Sequence, residues 1–292
     1  MKGKFERGQT PLGHRGQPPM PKGGSDPFRE VTCMKPLILI TNDDGVRSPG
    51  LRAAAEAVAD IGDILIAAPH TQQTGMGRAF PRAEDTGMIE EGTIEIRGRS
   101  VPAYAVHGSP ALAAAHGILE LAGRKPDLCI SGINYGENMG AVLTCSGTLG
   151  AAFETVSHGV PAIAVSLEAD LDIQRSNEFQ AVDFGPSREL LRTWTERVLE
   201  GGMPKHVDIL NINVPAAPRH PGAYRITTQS RQNYFEFIRP GKRNLRCPFA
   251  LRSRLYVDEE TLEKNSDIYA VYVDKTASVT PVNFVMSVDM EP

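Results

Sequence analysis

The sequence predicts an α/β protein with a doubly wound, mostly parallel sheet that carries helices on both faces. Two observations indicate this fold: short, continuously apolar runs alternate with helical patterns, and several of these helical patterns begin at a serine followed by proline or glycine. The 292 residues, 41% of them hydrophobic and 23% charged, are enough to bury a large core in an ordinary globular protein.

The first repeat starts with the apolar run at residues 37–40, which is typical of a strand buried on both faces. A polar loop follows it. Ser48 suits the N-cap of a helix and Pro49 suits its first turn, so a helix is expected to begin there. Residues 63–68 then predict the second strand.

The later repeats keep the order of strand and helix, and they occupy residues 103–106, 109–122, 127–130, 146–158, 161–166, 183–199 and 207–214. After residue 218 the alternation fades into turns, charges and short β-like segments at 224–228 and 269–273. We therefore expect a domain over residues 34–292, with a core at about 35–215 and a smaller, irregular C-terminal β-hairpin region at about 216–292, whose hairpins would reach a partner subunit. Residues 1–33, rich in glycine, proline and basic residues, are expected to form a disordered basic extension.

Composition excludes several classes of partner. The net charge of −4 and the pI near 6.0 give no general attraction to a nucleic-acid polymer. The longest apolar runs are far shorter than the roughly 20 residues that span a bilayer, so no membrane association is expected. The cysteines show neither metal-ligand spacing nor the density of a disulfide-rich fold, which favours a cytoplasmic location.

Four polar loops follow predicted strands or open predicted helices, at residues 42–45, 70–77, 132–140 and 145–148. In an open parallel sheet, ligands bind beyond the carboxyl ends of the strands, where such loops meet. We therefore expect these loops to form one site.

Asp43 and Asp44 follow the first buried strand directly. Two adjacent buried carboxylates repel each other and lose hydration, and a divalent cation between them removes both penalties. Gly45 supplies a turn that would let both side chains face one ion. An Asx-turn or a helix-start cluster without a metal is the alternative explanation of the same residues.

The donor atoms in these loops are oxygens: the carboxylates of Asp43 and Asp44, the hydroxyl of Thr74 and the side-chain carbonyl of Asn134. Oxygen ligands select a hard ion, and we predict one divalent metal ion per subunit, Mg²⁺ or Mn²⁺. Water and a phosphate oxygen would take the remaining coordination positions.

Phosphate-binding residues are predicted beside this ion, at Gly75, Asn138, Ser146, Gly147 and Thr148. The asparagine can donate to a phosphate oxygen, and the last three open a helix whose free N–H groups attract an anion. A glycine loop that only turns and a serine that only caps its helix are the alternatives.

Two histidines end strands on the same side of the predicted sheet. His107 could line the site, although a capped helix start explains its neighbourhood nearly as well. His70 could act as a general acid or lie in a surface loop.

At these loops the sequence resembles the SurE family of survival-protein nucleotidases, over most of residues 35 to about 288. The resemblance rests on Ile-Thr-Asn-Asp-Asp-Gly at 40–45, Ala-Pro at 68–69, Gln-Thr-Gly at 73–75, Ser-Gly-Ile-Asn at 131–134, Asn138, Ser-Gly-Thr-Leu-Gly-Ala-Ala at 146–152, Gly-Val-Pro-Ala-Ile-Ala at 159–164 and Ser-Val-Thr-Pro at 278–281.

The resemblance implies a Rossmann-like SurE fold, divalent-metal dependence and hydrolysis of nucleoside 5′- or 3′-monophosphates. It also implies a homodimer or homotetramer whose subunits exchange C-terminal elements. The metal ligands of the family fall on Asp43, Asp44, Thr74 and Asn134, with Thr74 in place of the serine of many members.

Asp43, Asp44 and Asn42 are the predicted catalytic residues: the metal held by the aspartates polarises the phosphoryl group, and Asn42 helps to hold its oxygens while water attacks. A covalent phosphoryl group on either aspartate is the mechanistic alternative. Two other classes of function stay open at this point, namely a metal-dependent nucleoside hydrolase and a non-catalytic nucleotide-binding regulatory protein.

Overall fold

A computed structural model describes residues 34–174 and 179–287 of the chain. The predicted disordered extension at residues 1–33 lies outside the described residues. The described residues from Lys35 onward form one compact unit. Within the described ranges, no helix is both long enough and apolar enough to cross a bilayer.

The strands of the described residues are β1 (Leu37–Thr41), β2 (Asp63–Pro69), β3 (Ile89–Ile96), β4 (Arg99–Val106), β5 (Leu128–Tyr135), β6 (Ala162–Leu167), β7 (Ile209–Val214), β8 (Tyr224–Ile226), β9 (Phe235–Phe237), β10 (Ser253–Leu255) and β11 (Ala277–Val282). One sheet has the order β3-β4-β2-β1-β5-β6-β7-β11-β8, and β9 pairs with β10 in a separate antiparallel hairpin. From β4 to β7 all neighbouring strands are parallel, whereas β3 and β11 are antiparallel to their partners β4 and β7. The predicted mostly parallel sheet is confirmed.

The helices are α1 (Pro49–Val58), α2 (Pro110–His116), α3 (Gly147–Ser157), α4 (Leu171–Gln174) and α5 (Gly185–Gly201). Helices α1 and α5 contribute to the core on one face of the sheet, and α3 contributes to a second core on the other face, where α2 packs beside it. Both faces of the central strands are therefore covered, which explains why β1, β5, β6 and β7 are buried along nearly their whole length and are mostly apolar.

Three predicted helix starts are confirmed by their capping bonds. The Ser48 hydroxyl accepts from the Gly50 amide at 3.2 Å, Ser109 from Leu112 at 3.1 Å, and Ser146 from Leu149 at 3.2 Å. Each bond satisfies an N–H group that has no partner inside its own helix. The caps fix where each loop ends, and they therefore position the loops at the edge of the sheet.

The structure differs from the sequence-based prediction at three elements. Strand β3 was missed because its glutamates and glycine leave no continuous apolar alternation, and its pairing with β4 stabilises it. Residues 269–273 form a π-helical turn and not a β segment, and the neighbouring strand is β11. Strand β5 extends through the predicted glycine loop to Tyr135, with an irregular register against β6 between Ser131 and Asn134.

Helix α1 approaches β5 so closely that only glycine fits at position 50. A Cβ atom there would lie 2.0 Å from the carbonyl oxygen of Ile133, which is a backbone atom one residue before Asn134. The absence of a side chain at Gly50 therefore allows α1 to pack at this distance from β5, the strand that carries Asn134.

We expect Gly50→Ala to lower the free energy of unfolding by about 1–3 kcal/mol, because α1 and β5 must separate to relieve the backbone clash. Gly201→Ala is the matched control: a Cβ there meets no atom within 4 Å, and alanine favours the helix by up to about 1 kcal/mol. Urea unfolding of both variants measures the difference. Equal midpoints for the two variants would contradict the close approach.

Candidate functional site

Asn42 shapes the turn that carries the two aspartates. Its side-chain amide donates to the Gly45 carbonyl at 3.0 Å, and its side-chain carbonyl accepts from the Gly45 amide at 3.2 Å. Gly45 has a φ of 97°, a conformation that other residues rarely adopt. Asn42 is fully buried, and both polar atoms of its side chain bond to the backbone of this turn.

The Asp43 carboxylate contacts the first turn of α3. Its Oδ1 accepts from the Thr148 hydroxyl at 2.7 Å, and its backbone carbonyl accepts from the Gln73 amide at 2.7 Å. A Cβ atom on Gly147 would lie 2.8 Å from Asp43 Oδ2. Asp43 therefore joins three of the four predicted loops: its own, the 70–77 loop and the start of α3.

Asp44 is held from two other directions. Its Oδ1 accepts from the Gln72 side chain at 3.3 Å, and its Oδ2 accepts from the Tyr135 backbone amide at 3.1 Å. Because Tyr135 ends β5 and Gln72 belongs to the 70–77 loop, this carboxylate is fixed between the loops that also carry Asn134 and Thr74.

Both carboxylates are buried, with 3% of Asp43 and 4% of Asp44 exposed. Burial raises the pKa of Asp43 to about 6 against the hydrogen bond from Thr148, which lowers it. Burial raises the pKa of Asp44 well above its usual value, and the negative charge of Asp43 raises it further. In the described part of the chain, no lysine or arginine forms an ion pair with either group.

These two side chains fit a divalent cation. A dication between them would remove the mutual repulsion and the unfavourable charge burial, and the oxygen donors nearby are those that Mg²⁺ and Mn²⁺ prefer. The ion would supply the positive charge that the described protein groups do not.

A cavity of about 490 Å³ opens beside Asp43. The predicted site residues in its wall are Asp43, Thr74, Gly75, Asn134, Asn138, Ser146 and Gly147. Asn42, Asp44 and Thr148 do not line it. Asp44 bonds Tyr135 and Thr148 bonds Asp43, and both of these partners do line the cavity. The structure thus brings residues from all four loops to one place.

The polar residues of this wall are oriented by further hydrogen bonds. The Asn134 amide nitrogen donates to the Gly136 carbonyl at 2.6 Å, which leaves its side-chain oxygen as the potential metal ligand. The Asn138 amide donates to Thr148 Oγ1 at 3.3 Å and to Ser166 Oγ at 3.0 Å. The Thr148 hydroxyl is therefore fully engaged, as acceptor from Asn138 and as donor to Asp43.

Sequence reasoning missed several supporting residues. Gln72 holds Asp44, and Asn211 and Asn213 donate to the Asn138 carbonyl at 2.9 and 3.2 Å. The two asparagines alternate with apolar residues along β7, a fully buried strand. Polar residues at alternate positions of a buried strand are a signal that could have indicated them, because buried amides need partners.

Glu137 is a further buried acid at this edge. It is 5% exposed, its carboxylate accepts from the Ala169 amide at 3.2 Å, and burial raises its pKa to about 7. Glu137 lies in the wall of the cavity beside Asp43. It also lines a neighbouring cavity of about 790 Å³, together with Glu168 and Lys275. The acidic character of the edge therefore extends beyond the aspartate pair.

His70 and His107 do not line the cavity beside Asp43. Their rings stack with centroids 4.4 Å apart, and both side chains face Glu90. The structure thus places the two histidines together, at a part of the sheet edge separate from the wall described above.

Comparisons with known proteins point to one family. Residues 38–236 match the family described as survival protein SurE. A 5′-nucleotidase SurE of Methanothermobacter thermautotrophicus is 49% identical over 183 residues, which cover 62% of this chain and 68% of the relative. Another from Methanocella arvoryzae is 37% identical over 259 residues, or 86% and 92% of the two chains. The crystal structure of the SurE protein from Aquifex aeolicus superposes with a TM-score of 0.66 at 25% identity, covering 86% of this chain and 95% of that one.

We predict that Glu137 gives the protein a pH-dependent stability. Because its pKa is about 7 in the folded chain and near 4.5 when unfolded, its contribution is complete below about pH 4.5 and is lost as the pH rises through 7. Glutamine does not ionise, so the free energy of unfolding of Glu137→Gln should not fall in this way. Between pH 4.5 and 8 it should rise by up to about 3 kcal/mol relative to that of the original chain.

Urea unfolding at four pH values across this range tests the effect. Glu95→Gln, at an exposed position of β3, controls for removal of one negative charge from the surface. Stability curves of the Glu137→Gln variant and the original chain that run parallel over the whole range would refute the assignment.

Proposed function

This chain belongs to the SurE family, and from that membership we propose that it is a metal-dependent phosphomonoesterase, a 5′-nucleotidase that converts nucleoside 5′-monophosphates to nucleoside and phosphate. The observation that carries the proposal is the position of Asp43, a buried carboxylate that lines a cavity and touches a helix N-terminus. A cation site and an anion site are thereby adjacent, which is the requirement for binding a metal-phosphate pair.

We propose Asp43, Asp44, Thr74 and Asn134 as the residues that hold one divalent ion, Mg²⁺ or Mn²⁺. Their support is the burial of the two carboxylates, the bond that commits the Asn134 nitrogen to the Gly136 carbonyl, and the position of Thr74 and Asn134 in the same cavity wall. Asn42 is proposed to act indirectly, because its side chain holds the turn that carries the two aspartates. When bound, the ion supplies electrostatic stabilisation of the charge on the phosphoryl oxygens.

The phosphate is proposed to bind at the start of α3, beside Asp43. The Gly147 backbone can approach an anion because it has no side chain, and the Ser146 cap keeps the helix start in place. Asn138 and the backbone at Gly75 complete the wall around the anion. The backbone N–H groups at the start of α3 are fixed before the substrate arrives, so they stabilise developing charge without rearrangement. The side-chain N–H groups of Asn138 already donate to Thr148 and Ser166, so this residue shapes the wall and adds no free donor.

Water is the proposed nucleophile. Its oxygen forms the new bond to phosphorus, the ester bond opposite breaks, and the departing nucleoside oxygen takes up a proton. The alternative, a phosphoryl group on an aspartate, concerns Asp43 first, because Asp44 has a hydrogen bond on each oxygen and does not line the cavity. Trapping of a phosphorylated aspartate would decide for that alternative.

A homodimer or homotetramer in the cytoplasm is the proposed state of the protein. The region from residue 216 onward exposes large apolar side chains around the β9–β10 hairpin, among them Phe237, Leu245 and Phe249. Exposed apolar clusters of this kind are typical of protein interfaces. The proposed partner of this surface is the same region of a second subunit.

We expect the purified chain to release inorganic phosphate from nucleoside 5′-monophosphates in the presence of Mn²⁺ or Mg²⁺ and to lose this activity with a chelator. Asp43→Asn should lower turnover by at least about 100-fold, because one carboxylate of the metal site is lost. Phosphate release and free base are measured together, with 3′-monophosphates as additional substrates.

Asp63→Asn is the matched control, since Asp63 is exposed at the opposite end of β2, and it should keep full activity. Release of free base without phosphate would identify a nucleoside hydrolase. Binding of nucleotides without either product would identify a regulatory protein. Near-normal turnover of Asp43→Asn would refute the metal assignment.

The Thr148 hydroxyl is expected to matter through Asp43. Thr148→Val keeps the volume but removes the 2.7 Å hydrogen bond, and we expect activity or Mn²⁺ affinity to fall by about 10–100-fold. Thr148→Ser keeps the hydroxyl and should restore most of the loss. Titration of activity against Mn²⁺ measures both effects, and equal curves for the two variants would show that the hydroxyl has no role in positioning.

A further inference from the structure

A second cluster of potential metal ligands lies at the ends of β2 and β4. His70 follows β2, His107 follows β4, and Glu90 is the second residue of β3. Strand β2 runs parallel to β4, and β3 runs antiparallel to it. The ends of β2 and β4 and the start of β3 therefore meet at one place.

Backbone hydrogen bonds fix the three residues against each other. The His70 amide donates to the Val106 carbonyl at 2.8 Å, and the His107 amide donates to the Met88 carbonyl at 2.8 Å. Both bonds continue the pairing of the sheet beyond its last paired residues. The two imidazoles and the Glu90 carboxylate are therefore brought together by the sheet itself and not by a flexible loop.

The distances between the donor atoms suit a transition-metal ion. Oε1 of Glu90 lies 3.1 Å from His107 Nε2 and 3.4 Å from His70 Nε2. One donor atom from each residue can be chosen so that all three lie within 4.8 Å of one another. In a tetrahedral zinc site with bonds of about 2.0–2.1 Å, neighbouring ligand atoms are about 3.3–3.4 Å apart.

A fourth residue orients one of the histidines. Nδ1 of His107 lies 2.8 Å from Oδ2 of Asp85, so Nε2 faces Glu90. A carboxylate on the far nitrogen is the usual partner of a metal-binding histidine, because it fixes the ring and raises its basicity. The His107 side chain is 17% exposed, whereas Glu90 is 54% exposed, which leaves an approach from solvent.

The same arrangement could be explained without a metal by a protonated His107 between the carboxylates of Asp85 and Glu90. Hydrogen bonds that His107 donates to Asp85 and Glu90 raise its pKa, in agreement with that explanation. It gives no role to His70, whose Nε2 faces the same oxygen of Glu90 and whose ring stacks on His107. Two imidazole nitrogens directed at one carboxylate oxygen are better explained by a shared cation.

We propose that His70, Glu90 and His107 bind one Zn²⁺ ion, with Asp85 orienting His107 and water in the remaining position. Two nitrogen ligands distinguish this site from the all-oxygen site around Asp43, so each prefers a different ion. The zinc ion would tie β2, β3 and β4 together at the start of the 70–77 loop. That loop carries Gln72, which bonds Asp44, and Thr74 of the cavity wall.

The test is zinc binding by the full chain, freed of metal with a chelator and then dialysed against Zn²⁺ in a large excess of Mg²⁺. Magnesium occupies the oxygen site, and we expect one Zn²⁺ per chain to remain. His70→Ala and His107→Ala should weaken zinc binding by at least about 100-fold, and Asp85→Asn by about 10–100-fold. Bound zinc is measured by atomic absorption.

His158→Ala is the matched control, since His158 forms a single 3.0 Å pair with Glu154 and should keep the zinc. Asp43→Asn should also keep it while losing phosphate release, so failure of this proposal is distinguishable from failure of the proposed function. Zinc should raise the melting temperature of the original chain but not that of His107→Ala.

Retention of no zinc by the original chain in excess Mg²⁺ would overturn the proposal. Full retention by both histidine variants would do the same, and loss of zinc in Asp43→Asn would assign the ion to the oxygen site. Should His107→Ala fail to fold, His70→Gln decides the question, because His70 is one-third exposed and its replacement leaves the core intact.

Discussion

The burial of two neighbouring carboxylates at the end of β1 is the constraint on which the rest of this edge of the protein depends. A buried negative charge is unfavourable unless hydrogen bonds and a cation compensate it, and two adjacent charges make each other less favourable still. The surrounding structure supplies the hydrogen bonds from Thr148, Gln72 and the Tyr135 amide. No lysine or arginine in the part that the structure describes forms an ion pair with either carboxylate, and the proposed metal ion would complete the arrangement.

Each of these hydrogen bonds also connects two loops. Thr148 belongs to α3, Gln72 to the loop after β2, and Tyr135 to the end of β5, while the aspartates follow β1. The carboxylates therefore act as the point at which separate strand ends are joined. Loss of one partner displaces the carboxylate and also the loop that bears the partner, which couples the geometry of the cavity to the integrity of the fold.

Close packing of helix backbones against the sheet makes the region around the two aspartates rigid. Gly147 lies against the Asp43 carboxylate, Gly50 lies against the Ile133 carbonyl, and neither position has space for a methyl group. Helices α3 and α1 consequently reach the sheet from opposite faces at the residues that flank the cavity. Packing of this kind fixes distances between polar groups that hydrogen bonds alone would leave adjustable.

The sequence by itself determined the order of strands and helices from β1 to β7 apart from β3 and the short α4, because apolar runs and serine caps are local signals that need no tertiary contact. It also indicated the loops that bear Asp43, Thr74, Asn134 and Ser146, since they follow strands or open a helix. Strand β3 escaped detection, because its residues are mostly exposed and only pairing with β4 makes them a strand.

Only the tertiary structure decided the roles within the site. The sequence could not show that the Thr148 hydroxyl is occupied by Asp43 and Asn138, or that the Asn42 side chain closes its own turn. It also could not show that His70 and His107, 37 positions apart, face one glutamate. Such roles depend on distances between residues remote in the chain, and these distances exist only after the strands have paired and the helices have packed.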